Sequence, residues 1–458
     1  MPAQTLDEVY KFLSNKPLTL EQLPEFYISD LNDVRGADTV KRLARELNRT
    51  AGGSFYKAFL MGHPGVGKTT ELVRLSGEIS QSYQTIWFNA SDDLNPVVFQ
   101  PFDIVYLMMI KVVEATTAKT HQVPSKTLLE QVENWFATKT QKETRTRTTS
   151  GEMSAGLGAD DKSLLANFLG LFGLMKGEIK YAGGRTEEDT KYQLIQLSSL
   201  IELANRLLDE CSQILHNATG QQWLFVWDGF ERPGVSVKNV ELLFLTYRNI
   251  LQELRTNLIF TIPISLGYVR SAEIPFQIYL IPDTPVYNPY FVQHSEGRQS
   301  LHKVLESRIN PNLFEPDQAE RLIVASGGNL RDLFKLVSEA VNVALDRSAA
   351  PALITTSDVK KSISKLRAEY RTRLGEDTFE QTQIPYAEKA KKLTQIYNQD
   401  PDAKIPDAVL YFLLRARAVQ EFYNGDRWLG VHPLVVDILA EQGKIQPGSS
   451  GIVRGGSE

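Results

Sequence analysis

Apolar positions along the chain follow two rhythms. Short, nearly continuous apolar runs at 55–61 (Phe55, Tyr56, Ala58, Phe59, Leu60 and Met61 around Lys57), 86–88, 223–228 (WLFVWD) and 257–264 (NLIFTIPI) have the length and composition of strands buried on both faces. A fainter run at 276–281 (FQIYLI) is the candidate fifth strand. Between them, apolar residues recur at helical spacing: Leu72, Leu75 and Ile79, the dense stretch 102–115, and Leu194, Leu197, Ile201, Ala204, Leu207, Leu208 and Ile214. Strands alternating with helices predict parallel crossovers, and so a three-layer α/β fold with a doubly wound parallel sheet.

Outside that region the rhythm is helical. A short helix at 6–12 and a Pro-interrupted piece precede an amphipathic helix at 39–47 (Val40, Leu43 and Leu47 apolar). Helices are predicted at 300–309, 317–325, 330–345, 359–374, 385–399 and 406–417. Two aromatic-rich runs, 419–423 and 427–431, flank Asn424-Gly425, a strong hairpin signal, and a helix at 434–440 follows. Residues 137–192 break the α/β pattern with a Thr-rich stretch, a Gly-rich stretch and an apolar stretch at 163–175. We read them as an insertion. Its apolar part either docks a protein partner or a second copy, or folds back on the core. The division is 1–30 as an N-terminal lead, 31–290 as the core, 291–375 and 376–445 as two further units, and 446–458 as a Gly/Ser-rich tail expected to be disordered.

Composition narrows the classes. A hydrophobic fraction of 42% and a charged fraction of 23% are those of a soluble globular chain. The net charge of -5 leaves no global footprint for nucleic acid. One cysteine, Cys211, and six scattered histidines leave neither an internal disulfide nor a zinc-type cluster. No signal core or membrane span is visible, and a cytoplasmic location is expected.

The chemistry sits at the ends of the predicted strands. Gly62-His63-Pro64-Gly65-Val66-Gly67-Lys68-Thr69 matches G-x-x-x-x-G-K-[ST], with Thr70 starting the helix that follows. Glycines there let the backbone cradle phosphate oxygens; the lysine reaches the β- and γ-phosphates and the Thr69 hydroxyl binds Mg²⁺. The cofactors expected from the loop are therefore a nucleoside triphosphate and Mg²⁺; the resemblance given below implies that the nucleotide is ATP. Asp228 ends an apolar strand, where a carboxylate holds the same metal as Thr69. Glu231 is the candidate for orienting an attacking water, against a purely structural role.

These motifs resemble AAA+ and STAND ATPases, including origin-recognition initiators and NACHT-like proteins, over about residues 20–445. Asp228-Gly229-Phe230-Glu231 is similar to the D-G-L-D-E stretch of STAND and NACHT ATPases, whereas AAA+ proteins place a catalytic glutamate directly after the aspartate. That difference implies slow hydrolysis. The resemblance further implies that Val34 and Arg35 border the adenine pocket, that Thr261 is a sensor near the γ-phosphate, and that Arg331, after Gly327-Gly328, reaches the phosphates from a helical lid. It implies that 376–445 is a winged helix with His432 packed inside it. The lead reading is an ATP-binding, slowly hydrolysing switch in regulation or defence signalling, driven by nucleotide to rearrange or oligomerise. The alternatives are a DNA-binding AAA+ initiator, loader or transposition-type regulator, with Lys360, Lys361 and Arg427 on DNA, and a non-hydrolysing adaptor. Arg270, Arg298 and Arg308 are open candidates for an arginine finger.

Overall fold

Five strands, β1 (Lys57–Met61), β2 (Tyr83–Asn89), β3 (Gln222–Asp228), β4 (Asn257–Ile262) and β5 (Gln277–Leu280), pair side by side in the order β2-β3-β4-β1-β5. Every pairing is parallel. The computed structural model describes residues 2–50, 53–137, 196–269, 276–290, 292–348, 352–375, 383–424 and 426–446, with scattered positions between 166 and 181. β4 separates the strand that leads into the glycine-rich loop from the strand that ends in Asp228. That order, with a strand between the two, is that of a P-loop nucleotidase fold.

Alternation along each strand explains the three layers. Trp223, Phe225 and Trp227 of β3 and Phe59 of β1 face one way, into a core with helices Pro101–Thr120 and Leu197–Thr219. Leu224, Val226, Ala58 and Leu60 face the other way, against helices Thr39–Arg49 and Lys68–Glu78. Helix Pro101–Thr120 is buried on nearly every side, which is why its sequence is apolar all round.

Some boundaries differ from the sequence pattern. Phe55 and Tyr56 precede β1, and Phe55 is 38% exposed. β4 stops at Ile262 because Pro263 has no N–H to continue the ladder. Most of 137–192 lies outside the described residues, as do Arg270 and residues 447–458. Within the insertion, Phe168 and Ile179 are buried in the same core as helix Pro101–Thr120. The Asn95 amide donates to the Ile179 carbonyl at 3.2 Å. These two side chains fold back on the core.

The rest of the chain shares one further core. Helices Ser295–Glu306, Gln318–Ala325, Leu330–Arg347 and Thr356–Arg373 pack with Tyr386–Tyr397, Ala408–Arg415, the antiparallel hairpin β6 (Val419–Asn424) and β7 (Asp426–Val431), and helix Pro433–Glu441. The N-terminal stretch also belongs here. Ala3, Leu6, Val9 and Leu13 are buried in it, and the Ala3 amide donates to the Arg308 carbonyl at 2.8 Å. Among the described residues, no helix is long and apolar enough to cross a membrane.

Phe59 is fully buried and sits edge-on to Phe244 at 5.0 Å. Phe59→Ala is expected to lower unfolding free energy by about 3–5 kcal/mol, through lost transfer energy plus a cavity. A loss of unfolding free energy under about 1 kcal/mol, read from urea titrations, would contradict this packing.

Candidate functional site

The loop from Gly62 to Gly67 joins β1 to helix Lys68–Glu78. Gly65 has φ +93°, and a Cβ there would come within 2.6 Å of Asn329 Oδ1. Only glycine fits such a conformation at such a close approach. The first-turn amides of the helix lack intrahelical acceptors, and its N-cap, Gly67, has no side chain to cap them.

The loop's carbonyls are all occupied, those of Gly62 and His63 by nearby Lys68 and those of Pro64, Gly65 and Val66 by donors from distant parts of the chain. Lys68 Nζ donates to the Gly62 and His63 carbonyls at 2.9 and 3.1 Å. Asn329 Nδ2 and Arg417 Nη1 donate to the Pro64 carbonyl at 3.2 and 3.3 Å. The Arg331 amide donates to the Gly65 carbonyl at 3.3 Å. Arg35 Nη2 donates to the Val66 carbonyl at 3.2 Å.

A cluster of acids and hydroxyls lies on the other side of Thr69. Its hydroxyl donates to Asp228 Oδ2 at 2.7 Å. The Thr261 hydroxyl lies 3.0 Å from Asp228 Oδ1 and 2.8 Å from Glu231 Oε2, and accepts from the Gly229 amide at 2.8 Å. One hydroxyl proton serves one carboxylate at a time. Glu231 Oε1 also faces Lys68 Nζ at 3.0 Å, both side chains being buried. Burial, then the negative Glu231, pushes the Asp228 carboxyl above its usual range. Burial opposes ionisation of Glu231, but the Lys68 ammonium and the hydrogen bonds from the backbone, Thr261 and Lys68 together hold that carboxyl below its usual range.

Lys68, Thr69, Glu231, Arg232 and Arg331 line a cavity of about 340 Å³, whose apolar wall includes Phe26, Leu31, Val304 and Phe334. Arg331 has no side-chain partner among the described residues; burial, then the like charge of Arg417, disfavours its protonated form. Gly65, Val66, Gly67, Thr70 and Arg35 also border the cavity. Asp228 and Thr261 stand behind it, joined to Thr69 and Glu231 by the hydrogen bonds above. Gly62, His63 and Pro64 form the back of the loop. His63 is buried, and burial lowers its pKa to about 4. Val34 is buried at the end of helix Asp30–Val34 and does not line the cavity; Ile28 and Leu31 stand there instead. The N-terminal segment takes part as well, since the Leu18 amide donates to Thr70 Oγ1 at 3.3 Å.

Of the three arginine candidates, the two among the described residues are turned inward. Arg298 is paired with Glu320 at 2.7 Å and donates to the Val286 carbonyl. Arg308 lies between the Phe26 and Phe334 rings at 5.1 and 5.2 Å and lines the cavity of its own chain.

Sequence reasoning missed Arg417, whose guanidinium joins Pro64 to Asn329 Oδ1 (3.2 Å) and Asp332 Oδ1 (2.9 Å). Asp332 also accepts from the Tyr370 hydroxyl at 2.7 Å, and Tyr370 stacks on His432 at 4.2 Å. His432 Nδ1 accepts from the Leu434 amide, capping helix Pro433–Glu441, so its proton sits on Nε2, facing the Ser326 carbonyl at 3.2 Å. The Asn329 cap was legible as an Asn before an amphipathic helix. Nothing local marks Arg417.

Among the described residues, no three His, Cys, Asp or Glu side chains converge as a metal site. One hydroxyl and one carboxylate meet at the cavity's rear, a hard-oxygen pair that suits Mg²⁺ only when phosphate oxygens and waters complete the shell. The donor set therefore fits a metal carried in with a polyphosphate.

No family model and no curated protein matches this sequence. Among solved structures, the chain is similar to the Orc1 protein of Aeropyrum pernix in complex with DNA, at 14% identity over 96% of this chain and 97% of that one, with a TM-score of 0.37. It is also similar to a Walker-type ATPase of Pyrococcus abyssi (12%, 94% and 99%, TM-score 0.42) and to Cdc6p of Pyrobaculum aerophilum (11%, 95% and 98%, TM-score 0.36). The fold assignment rests on the strand order alone.

Both buried histidines give the protein an acid limit. His432 falls from 6.5 to about 3, chiefly by burial, and His63 falls from 6.5 to about 4. Below pH 6.5 the unfolded chain takes up these protons and the folded one does not. Their contribution is thus complete above pH 6.5 and is lost as pH falls, by about 1.4 kcal/mol per pH unit for each histidine. Urea midpoints at pH 7.5, 6 and 5 should show that slope, and His432→Gln should flatten it; an unchanged slope in the variant would contradict a neutral, buried His432.

Proposed function

We propose that the protein is an ATP-binding molecular switch that hydrolyses ATP slowly. The observation that carries this reading is the set of donors on the loop carbonyls. The face of the loop suited to phosphate is backed by Arg35, Asn329, the Arg331 amide and Arg417. A shift of the loop on binding triphosphate is therefore felt at once by the helices after the sheet and by the C-terminal hairpin region. In this reading those parts are the lid and the winged helix.

The residues divide the work as follows. Lys68 leaves Glu231 and the loop carbonyls for the phosphates. Arg331, with an unpaired guanidinium facing the cavity, joins it from the lid side. Thr69 and Asp228 would hold Mg²⁺, which would supply charge neutralisation at the phosphates. Phe26, Leu31 and Val304 offer an apolar wall for the base, with Arg35 at its edge. Glu231 orients water and takes its proton, with Thr261 steering its carboxylate. In the resting site Lys68 and Thr261 hold Glu231, so it must be released before it can act, in line with slow turnover. The output is a rearrangement or self-assembly in regulation or defence signalling.

A DNA-binding role has weaker support. Arg427 is spent on Glu421 and the Tyr268 ring. On helix Thr356–Arg373, Lys365, Arg367, Arg371 and Arg373 each face a carboxylate. Such pairing engages much of the positive charge that phosphate neutralisation needs, and leaves Lys360 and Lys361 as exposed lysines of that helix with no ion pair among the described residues.

Lys68→Ala should weaken ATP and ADP binding by at least about a hundredfold in an equilibrium titration with a fluorescent nucleotide. Retained affinity would overturn the reading. In wild type, a slowly hydrolysed ATP analogue and ADP should give different sizes by analytical ultracentrifugation, and Arg417→Ala should abolish the difference while leaving binding intact.

A further inference from the structure

Arg232 follows Glu231 and was not assigned a role above. Its Nη2 lies 3.3 Å from Asp228 Oδ2, the oxygen that also accepts the Thr69 hydroxyl at 2.7 Å. The side chain is one-third exposed and lines the cavity beside Thr69 and Arg331. Its stem folds over Gly229, where φ is +94° and an added Cβ would stand 3.2 Å from Arg232 Nε. The glycine at the position of the AAA+ catalytic glutamate thus leaves the space that Arg232 fills.

Two consequences follow from charge. A guanidinium resting on Asp228 Oδ2 competes with a divalent cation for that oxygen, because the two positive charges repel. Arg232 and Arg331 also repel each other across the cavity. Lys68, Arg232 and Arg331 on one cavity give it the charge to bind a multiply charged anion.

We propose that Arg232 is a phosphate ligand that the chain supplies in cis. It rests on Asp228, is displaced when Mg²⁺ takes that oxygen, and turns onto the terminal phosphate of a bound nucleoside triphosphate. Arginine suits this role, since its fork matches either a carboxylate or a phosphate. Metal entry and recognition of the third phosphate are then coupled through one side chain. The inference rests on the nucleotide-binding reading above.

The test is equilibrium binding of ADP and of a slowly hydrolysed ATP analogue, with Mg²⁺ and in EDTA, to wild type, Arg232→Gln and Arg232→Lys. Arg232→Gln should lose about tenfold in affinity for the Mg²⁺-triphosphate while ADP stays within about twofold. The Mg²⁺ concentration that half-saturates the ADP complex should fall several-fold, because a competitor for Asp228 is gone. Arg232→Lys, which keeps the charge, should recover part of the triphosphate preference and keeps the test open if the glutamine variant folds poorly. A wild-type triphosphate-to-diphosphate ratio with an unshifted Mg²⁺ midpoint in both variants overturns the proposal and leaves nucleotide binding standing. Failure of wild type to bind any nucleotide overturns both.

Discussion

A loop shaped to present amides to an anion must turn its carbonyls away from that anion, and buried carbonyls need donors. Much of this protein is arranged around that requirement. Five successive carbonyls, Gly62 to Val66, accept from Lys68, Asn329, Arg417, Arg331 and Arg35. Most of these donors are fixed by neighbours of their own. Arg35 donates to Thr284, Asn329 to Asp283, and Arg417 to Asp332. The loop is thus held by its back, and each element that holds it is exposed to whatever occupies its front.

The charge balance around the cavity follows a similar logic. Its lysine and arginine side chains are matched by acids at the end of β3. Lys68 rests on Glu231 and Arg232 on Asp228. Thr261, with one proton between two carboxylates, completes an arrangement in which Asp228 is pushed towards its neutral form and Glu231 is held ionised. A bound polyanion would reverse each of these pairings.

The C-terminal region is tied in by a buried ion pair. Arg417 and Asp332 are 9% and 1% exposed, and removing one partner of such a pair typically costs about 3–5 kcal/mol, because the other is left charged and buried. Asp332 shares its second oxygen with Tyr370, and Tyr370 packs on His432. Opening this region therefore means separating several buried polar groups together, which favours two discrete arrangements over gradual movement.

The sequence alone determined the parallel α/β class, the loop and its strand–loop–helix setting, the acid at the end of β3, and the hairpin near the C-terminus. These depend on neighbours two to four positions apart and on residue types with narrow chemistry, such as glycine in a tight loop or aspartate ending an apolar strand. Only the tertiary structure decided which side chains back the loop. Arg417 and Pro64 are 353 positions apart, and no local pattern marks an arginine for burial. It also placed the N-terminal stretch in the core of the helices after the sheet, and exchanged Val34 for Ile28 and Leu31 at the cavity. Hydrogen-bond partners and ion pairs across such separations are set by topology and burial, where a polar group takes whichever complementary group the packing brings within about 3 Å.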